Sequence, residues 1–308
     1  MFNIISHRQR YFYLSFTLVI ASILMLATRG LVLGIDFTSG SLLRMHIPNS
    51  EPNTLDRILA KANLEQYSIQ TGADSTFLIR TTELELAEKE SLVEKIVELS
   101  PESTLLSFSS VGPVVGAELT RNAILAIVVA SIAILLYVTW SFRNVDNPVL
   151  FGIAAIVALV HDTLILLGSF SLLGILAGIS VDSMFVTAVL TVVGFSVHDT
   201  IVVFDRIREN RSNYNKAPFS AVVNYSLNQT LDRSLNTSLT AIFVLTALLI
   251  LGGPTIREFV LALLIGIVVG TYSSIFTASQ LLVTWDDWRE RKLPNSVAKI
   301  INARRSNN

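Results

Sequence analysis

Val197-His198-Asp199-Thr200-Ile201-Val202 places a carboxylate and an imidazole inside an otherwise apolar run, and Val160-His161-Asp162-Thr163-Leu164-Ile165 does the same one run earlier. Each hexapeptide sits in a stretch that reads as membrane-spanning helix. An ionisable group inside a span costs about 2.5–3.5 kcal/mol even on a lenient insertion scale, so it usually faces a partner or a water-filled path. The repeated motif points to an energy-coupled membrane protein.

Outward from it, six runs reach the roughly 20 residues that a bilayer crossing needs: 11–32, 122–140, 149–172, 181–204, 233–251 and 256–283. The fold class is therefore a polytopic α-helical membrane protein with six transmembrane helices. Of the 308 residues, 51% are hydrophobic and only 15% charged, outside the range of an ordinary soluble domain. A net charge of −1 with no basic stripe offers nothing to a nucleic acid. The absence of cysteine excludes disulfides, haem attachment and thiolate zinc sites.

The loops set an orientation. Arg8 and Arg10 precede the first run and Arg143 follows the second. Arg206, Arg208, Arg211 and Lys216 follow the fourth; Arg289, Arg291, Lys292, Lys299, Arg304 and Arg305 follow the sixth. The alternate loops, 171–180 and 252–255, hold no Lys or Arg. The positive-inside rule then puts both ends, residues 1–10 and 284–308, in the cytoplasm. No small-residue cleavage pattern follows the apolar stretch 14–27, so the first run is expected to be a retained span.

Residues 36–120 break the membrane pattern; they are polar, charged and punctuated by Pro48, Pro52, Gly72, Pro101 and Gly112. Segment 41–47 alternates as a strand, and 54–62 has helical spacing through Leu55, Ile58, Leu59 and Ala62 behind a Thr54 cap. Two β-prone runs, 67–71 and 76–81, flank the hairpin signal Gly72-Ala73-Asp74-Ser75. An amphipathic helix at 85–99 and a last β-prone run at 104–110 complete the order βαββαβ, that of a ferredoxin-like α+β unit. The loop charges place this small domain on the external side.

On a helix Asp199 shares a face with Phe195, Val202 and Arg206. It lies 18 residues from Val181, about 27 Å at the helical rise, near the inner edge of the hydrocarbon core. Pairing with Arg206 at that boundary is one reading. The fifth run supplies the other: Arg233, Asn236, Thr237 and Thr240 fall at i, i+3, i+4 and i+7, with Ser226 and Gln229 extending the stripe backwards. Arg233 is 18 residues from Leu251, so it comes out at the depth of Asp199 on an antiparallel neighbour. A proton arriving on Asp199 would release such a pair and its loss would restore it, a proton-driven two-state element. A static pair with a snorkelling Arg is the alternative.

Asp162 with His161 is either a relay partner or a helix–helix hydrogen bond. His198 points about 100° away from Asp199, so adjacency alone does not join them. No metal-ligand spacing, phosphate loop or nucleophile motif appears, so no catalytic residue, metal or cofactor is expected. Gly266 and Gly270, followed by Ser273, Ser274, Thr277 and Ala278, allow close helix contact.

Several stretches together carry a resemblance. They are Gly34-Ile35-Asp36-Phe37-Thr38-Ser39-Gly40, Val111-Gly112-Pro113-Val114-Val115-Gly116-Ala117-Glu118-Leu119, the run from Gly194 through Asp199 to Glu209, Ser226-Leu227-Asn228-Gln229-Thr230-Leu231-Asp232-Arg233, and Gly266 to Phe276. The chain resembles the SecF members of the SecD/SecF family of protein-export membrane proteins, itself similar to the RND transporter superfamily. Six spans are half of an RND-type twelve.

The resemblance implies a Sec translocase accessory subunit without catalytic chemistry. With a SecD-like partner it would use the proton-motive force in late steps of translocation across the cytoplasmic (inner) membrane. A SecY/SecE/SecG-type channel, a YajC-like small membrane protein and unfolded secretory proteins are the other implied partners. In the family an aspartate of the fourth span and an arginine and threonine of the fifth are implicated in proton transport, which implies ion coupling for Asp199, Arg233 and Thr237. Asn236 and Thr240 stay with His161, Asp162 and His198 as relay or packing candidates. Departures are Phe195 where Tyr is common, and Asp232 and Ser234 beside Arg233 where Ser and Thr are commoner. The competing readings are half of an RND-type small-molecule or ion exporter, which would carry a much larger external domain, and a structural assembly subunit with no proton path.

Overall fold

The computed structural model describes residues 2–48, 55, 56, 59, 64, 67–71, 75–145 and 147–292. In chain order its elements are α1 (Arg8–Arg29), α2 (Ile35–Thr38), β1 (Gly40–His46), β2 (Tyr67–Thr71), β3 (Thr76–Thr81), α3 (Leu86–Leu99), β4 (Thr104–Val111), α4 (Pro113–Ser141), α5 (Pro148–Ala177), α6 (Ser183–Asn213), α7 (Phe219–Leu251), α8 (Arg257–Ser273) and α9 (Ser279–Lys292). A π-helical turn, Ser274–Ala278, joins α8 to α9. Six helices among the described residues are long and apolar enough to cross a membrane: α1, α4, α5, α6, α7 and the continuous α8–α9 rod. The chain is a polytopic α-helical membrane protein with a small α/β domain. It divides into two compact units, a helical one (1–31, 126–175 and 184–308) and an α/β one (32–125 with 176–183).

In the α/β unit alternation does the work. Leu43 and Met45 of β1 and Ile47 just after it point inward, as do Phe77 and Ile79 of β3, and they meet Leu92 and Ile96 of α3 in one core. The four strands form an antiparallel sheet in the order β2-β3-β1-β4. Leu43 pairs with Ile79 on one side and Phe108 on the other. Glu85 caps α3, its N–H donating to Glu88 Oε2 at 2.9 Å in a capping box. The expected helix at 54–62 lies outside the described residues except for Leu55, Asp56 and Leu59; Leu55 and Leu59 are buried in this core. Gly72 to Asp74 of the expected hairpin also lie outside them.

The single turn α2 was not legible in the sequence. It orients Asp36, whose Oδ2 accepts from the Ser183 N–H at 2.9 Å and from the Ser183 hydroxyl. Beside it the Gly34 N–H donates to the Val181 carbonyl at 2.7 Å and the Val181 N–H to that of Val32 at 2.8 Å. Asp36 thus caps a donor in the first turn of α6.

In the helical unit, α5, α6 and α8 bury the most side chains. Small residues bring them together. Gly266 and Gly270 of α8 lie against Val192 and Ser196 of α6, the close contact that their spacing implies, and a Cβ at Gly266 would overlap Val192. Gly168 of α5 sits in the same way against Ser22 of α1. Phe142, Phe151 and Phe204 form an aromatic knot, with ring centroids 5.1 to 6.0 Å apart. By contrast α4 leaves Ile124, Val128, Ile132 and Leu136 exposed along one face, as a surface meeting lipid or another helix requires.

Candidate functional site: two buried carboxylates

Asp199 lies in α6 with 7% of its surface exposed. Its Oδ1 accepts a hydrogen bond from Ser234 Oγ of α7 at 2.6 Å, while Oδ2 is buried without a partner among the described residues. Ser234 belongs to a row at four-residue intervals, Ser226, Thr230, Ser234 and Ser238, that is buried along α7. Ser226 accepts from Asn210 Nδ2 of α6 at 2.9 Å, and Ser238 bonds Thr271 of α8 at 2.6 Å. These hydroxyls let two apolar helices exchange hydrogen bonds where water is scarce.

The expected Asp199–Arg233 ion pair is not formed in this structure. Arg233, Asn236, Thr237 and Thr240 are all exposed, on a different face of α7 from the serine row. Thr237 and Thr240 turn their hydroxyls back onto the carbonyls of Arg233 and Asn236, at 2.9 and 2.7 Å. The reason is rotation: residues 233 and 234 stand about 100° apart on the helix, and Ser234 takes the position facing α6. The alternative pairing with Arg206 is not formed either, because Arg206 is engaged by Gln229 Oε1 and Glu209 Oε2, both at 2.6 Å. His198 is exposed and takes no part in the Asp199 contact.

Asp162 of α5 is the better-held carboxylate. It is 2% exposed and accepts from two donors on Oδ2, Ser196 Oγ of α6 at 2.6 Å and Ser273 Oγ of α8 at 2.7 Å, while His161 Nδ1 is hydrogen-bonded to Oδ1 at 2.9 Å. It therefore ties three helices together. Ser196, Ser234 and Ser273 were not singled out as site residues in the sequence. The four-residue spacing of the α7 row was the available signal for Ser234; Ser196 and Ser273 had none beyond being small.

Among the described residues no group of three or more His, Cys, Asp or Glu side chains is placed to hold a metal. What the interior offers is buried carboxylates served by hydroxyls, a chemistry suited to binding a small cation or proton within a membrane.

This is the class that fold and site define: a membrane protein with an α/β domain inserted after its first span and ionisable groups inside its helix bundle. The family model for protein export membrane protein SecD/SecF, C-terminal, matches residues 91–288, and that for the SecD/SecF GG motif matches residues 24–46. The chain belongs to the SecD/SecF family. It is 44% identical over 305 residues to the protein translocase subunit SecF of Thermobaculum terrenum, covering 93% of this chain and 95% of that one. To the same subunit of Anaerolinea thermophila it is 39% identical over 296 residues, covering 94% and 96%. The crystal structure of SecDF, a translocon-associated membrane protein from Thermus thermophilus, superposes with a TM-score of 0.84 at 37% identity. That match covers 93% of this chain but 39% of the solved one, so the chain spans well under half of that structure.

Proposed function

We propose that this chain is the SecF-type accessory subunit of a Sec protein translocase. With a SecD-like subunit, it uses the proton-motive force to promote late steps of protein translocation across the cytoplasmic membrane, without catalytic chemistry of its own. The observation that carries the coupling is the half-satisfied carboxylate: Asp199 is buried in the bundle, with Ser234 on one oxygen and no partner among the described residues on the other. Ionised, such a group in a membrane calls for a countercharge; protonated, a hydroxyl suffices.

The helix α7 carries both answers at one level, Ser234 and, one residue back, Arg233 with Thr237 a turn further on. A rotation of α7 by about 100°, the angle between successive residues, exchanges one for the other, so proton binding at Asp199 biases a two-state element. Arg233 and its polar stripe, exposed on this chain alone, supply the face that a SecD-like partner would cover. The SecY/SecE/SecG-type channel, a YajC-like protein and unfolded secretory proteins complete the assembly. The loop charges support cytoplasmic termini.

The test is export by membranes containing the chain and its SecD-like partner under an imposed gradient. Asp199→Asn and Arg233→Met should each lose the gradient-driven component and keep the component driven by the ATPase motor. Wild-type stimulation in both variants would refute coupling through these residues. Stimulation by a sodium gradient and not by a pH gradient would reassign the ion.

A further inference from the structure

Asp162 and His161 are not needed for the exchange at Asp199, yet they form a buried polar cluster with three hydrogen bonds at the carboxylate. Ser196 and Ser273 both donate to Asp162 Oδ2, and the imidazole faces Oδ1 at 2.9 Å. All three bonds suit an ionised carboxylate, which accepts and does not donate. The imidazole then carries its hydrogen on Nδ1, and Nε2 keeps a free lone pair. That Nε2 is buried and has no partner among the described residues.

Placement adds a second observation. His161, 5% exposed, lines a groove of 620 Å³ between α1, α5 and the turn after α8. The groove is mainly apolar, but its polar members, Gln9, Ser15, His161 and Thr277, include Gln9 from the first turn of α1. On the other side the cluster reaches toward Asp199. The Ser196 carbonyl accepts from Ser274 Oγ at 3.2 Å, Ser274 bonds Thr200 Oγ1 at 2.8 Å, and Thr200 follows Asp199 in the chain. Ser274 begins the π-helical turn, a distortion frequently found at functional positions.

We propose that the His161–Asp162 pair is a second proton-binding site, with His161 Nε2 the atom that takes the proton. This rests on the reading of the chain as proton-coupled. With Asp162 ionised and His161 neutral, the pair carries a net charge of −1. A proton from water forms an N–H bond at Nε2, giving an imidazolium against the carboxylate with net charge zero. No hydrogen bond of the three-helix clamp has to break. Asp162 is the positioning residue: it fixes which nitrogen is free. The titratable groups near the pair are Tyr272 of α8, whose ring centroid is 6.3 Å from that of His161, and Tyr13 of α1, which lines the same groove; Asp199 lies three residues beyond Ser196 on α6. No Lys or Arg pairs with Asp162 among the described residues.

The test is nitrogen NMR of histidine-labelled full chain with its SecD-like partner in proteoliposomes, titrated between about pH 5 and 9, the range in which histidine changes charge. The chain has four histidines, and His161→Gln assigns the signal. One imidazole should keep Nδ1 protonated throughout while Nε2 changes state, and Asp162→Asn should shift that change. An Nε2 that stays in one state, or that titrates identically in Asp162→Asn, overturns the proposal, and this readout needs no variant to support export. In the export assay His161→Gln should lose the gradient-driven component. If it keeps that component while Asp199→Asn loses it, the second site fails and the proposed function stands. If His161→Gln loses it while Asp199→Asn does not, the Asp199 reading fails and the second site stands.

Discussion

Ser234 Oγ lies 2.6 Å from Asp199 Oδ1, while Arg233, its immediate neighbour, is exposed on another face of the same helix. A one-residue offset thus decides whether the carboxylate meets a hydroxyl or a guanidinium. The depth argument brings α7 to the right level, and the contact fixes the rotation.

Removing that hydroxyl should be costly. Ser234→Ala leaves Asp199 buried with both oxygens unpartnered, a loss of about 1–3 kcal/mol for a buried polar group deprived of its bond. Ser234→Thr keeps a hydroxyl and should lose less. Thermal unfolding of the purified chain in lipid nanodiscs measures both, and equal melting of Ser234→Ala and wild type would remove the bond from the account.

Two glycines of the bundle should respond in opposite directions. A Cβ at Gly266 would overlap Val192, so Gly266→Val forces α8 away from α6 and should destabilise by about 1–3 kcal/mol, the usual range for overpacking. Around Gly194 nothing lies within 4 Å of the added carbon, and Gly194→Ala should be neutral or stabilising by up to about 1 kcal/mol through helix propensity. Heat-induced aggregation of both variants checks the ranking, which fails if Gly266→Val is the more stable of the two.

In the α/β domain the Tyr67 hydroxyl donates to Asp56 Oδ1 at 2.9 Å, and this bond holds the phenol above its ordinary value, with desolvation and the Asp56 charge adding in the same direction. A raised native value means that the contribution to stability is complete below the usual tyrosine pKa of about 10 and fades as pH climbs through the higher one. Phenolate absorbance during an alkaline titration should show the late tyrosine move down in Asp56→Ala; an unchanged titration would dissociate the two groups.

Much of this was open to reading from the residues. Apolar runs of about 20 residues have few alternatives, so the six spans followed. Alternation gave the strands, β2 and β3 at their observed ends. The facing of α7 did not follow, because the helix carries two polar rows, Ser226-Thr230-Ser234-Ser238 and Arg233-Asn236-Thr237-Thr240. Which of them meets α6 is a property of the neighbour. The clamp at Asp162 was hidden for a related reason: Ser196 and Ser273 are separated from it by 34 and 111 positions and become partners only once Gly266 and Gly270 admit α6. The π-helical turn left no trace in the spacing.

The contact between Asp36 and Ser183 gives α6 an anchored end. Ser183 opens α6 and Asp199 lies further along the same unbroken helix. Sixteen residues separate them, about 24 Å of stiff rod at the helical rise. The hydrogen bond at its first residue therefore sets where that rod begins.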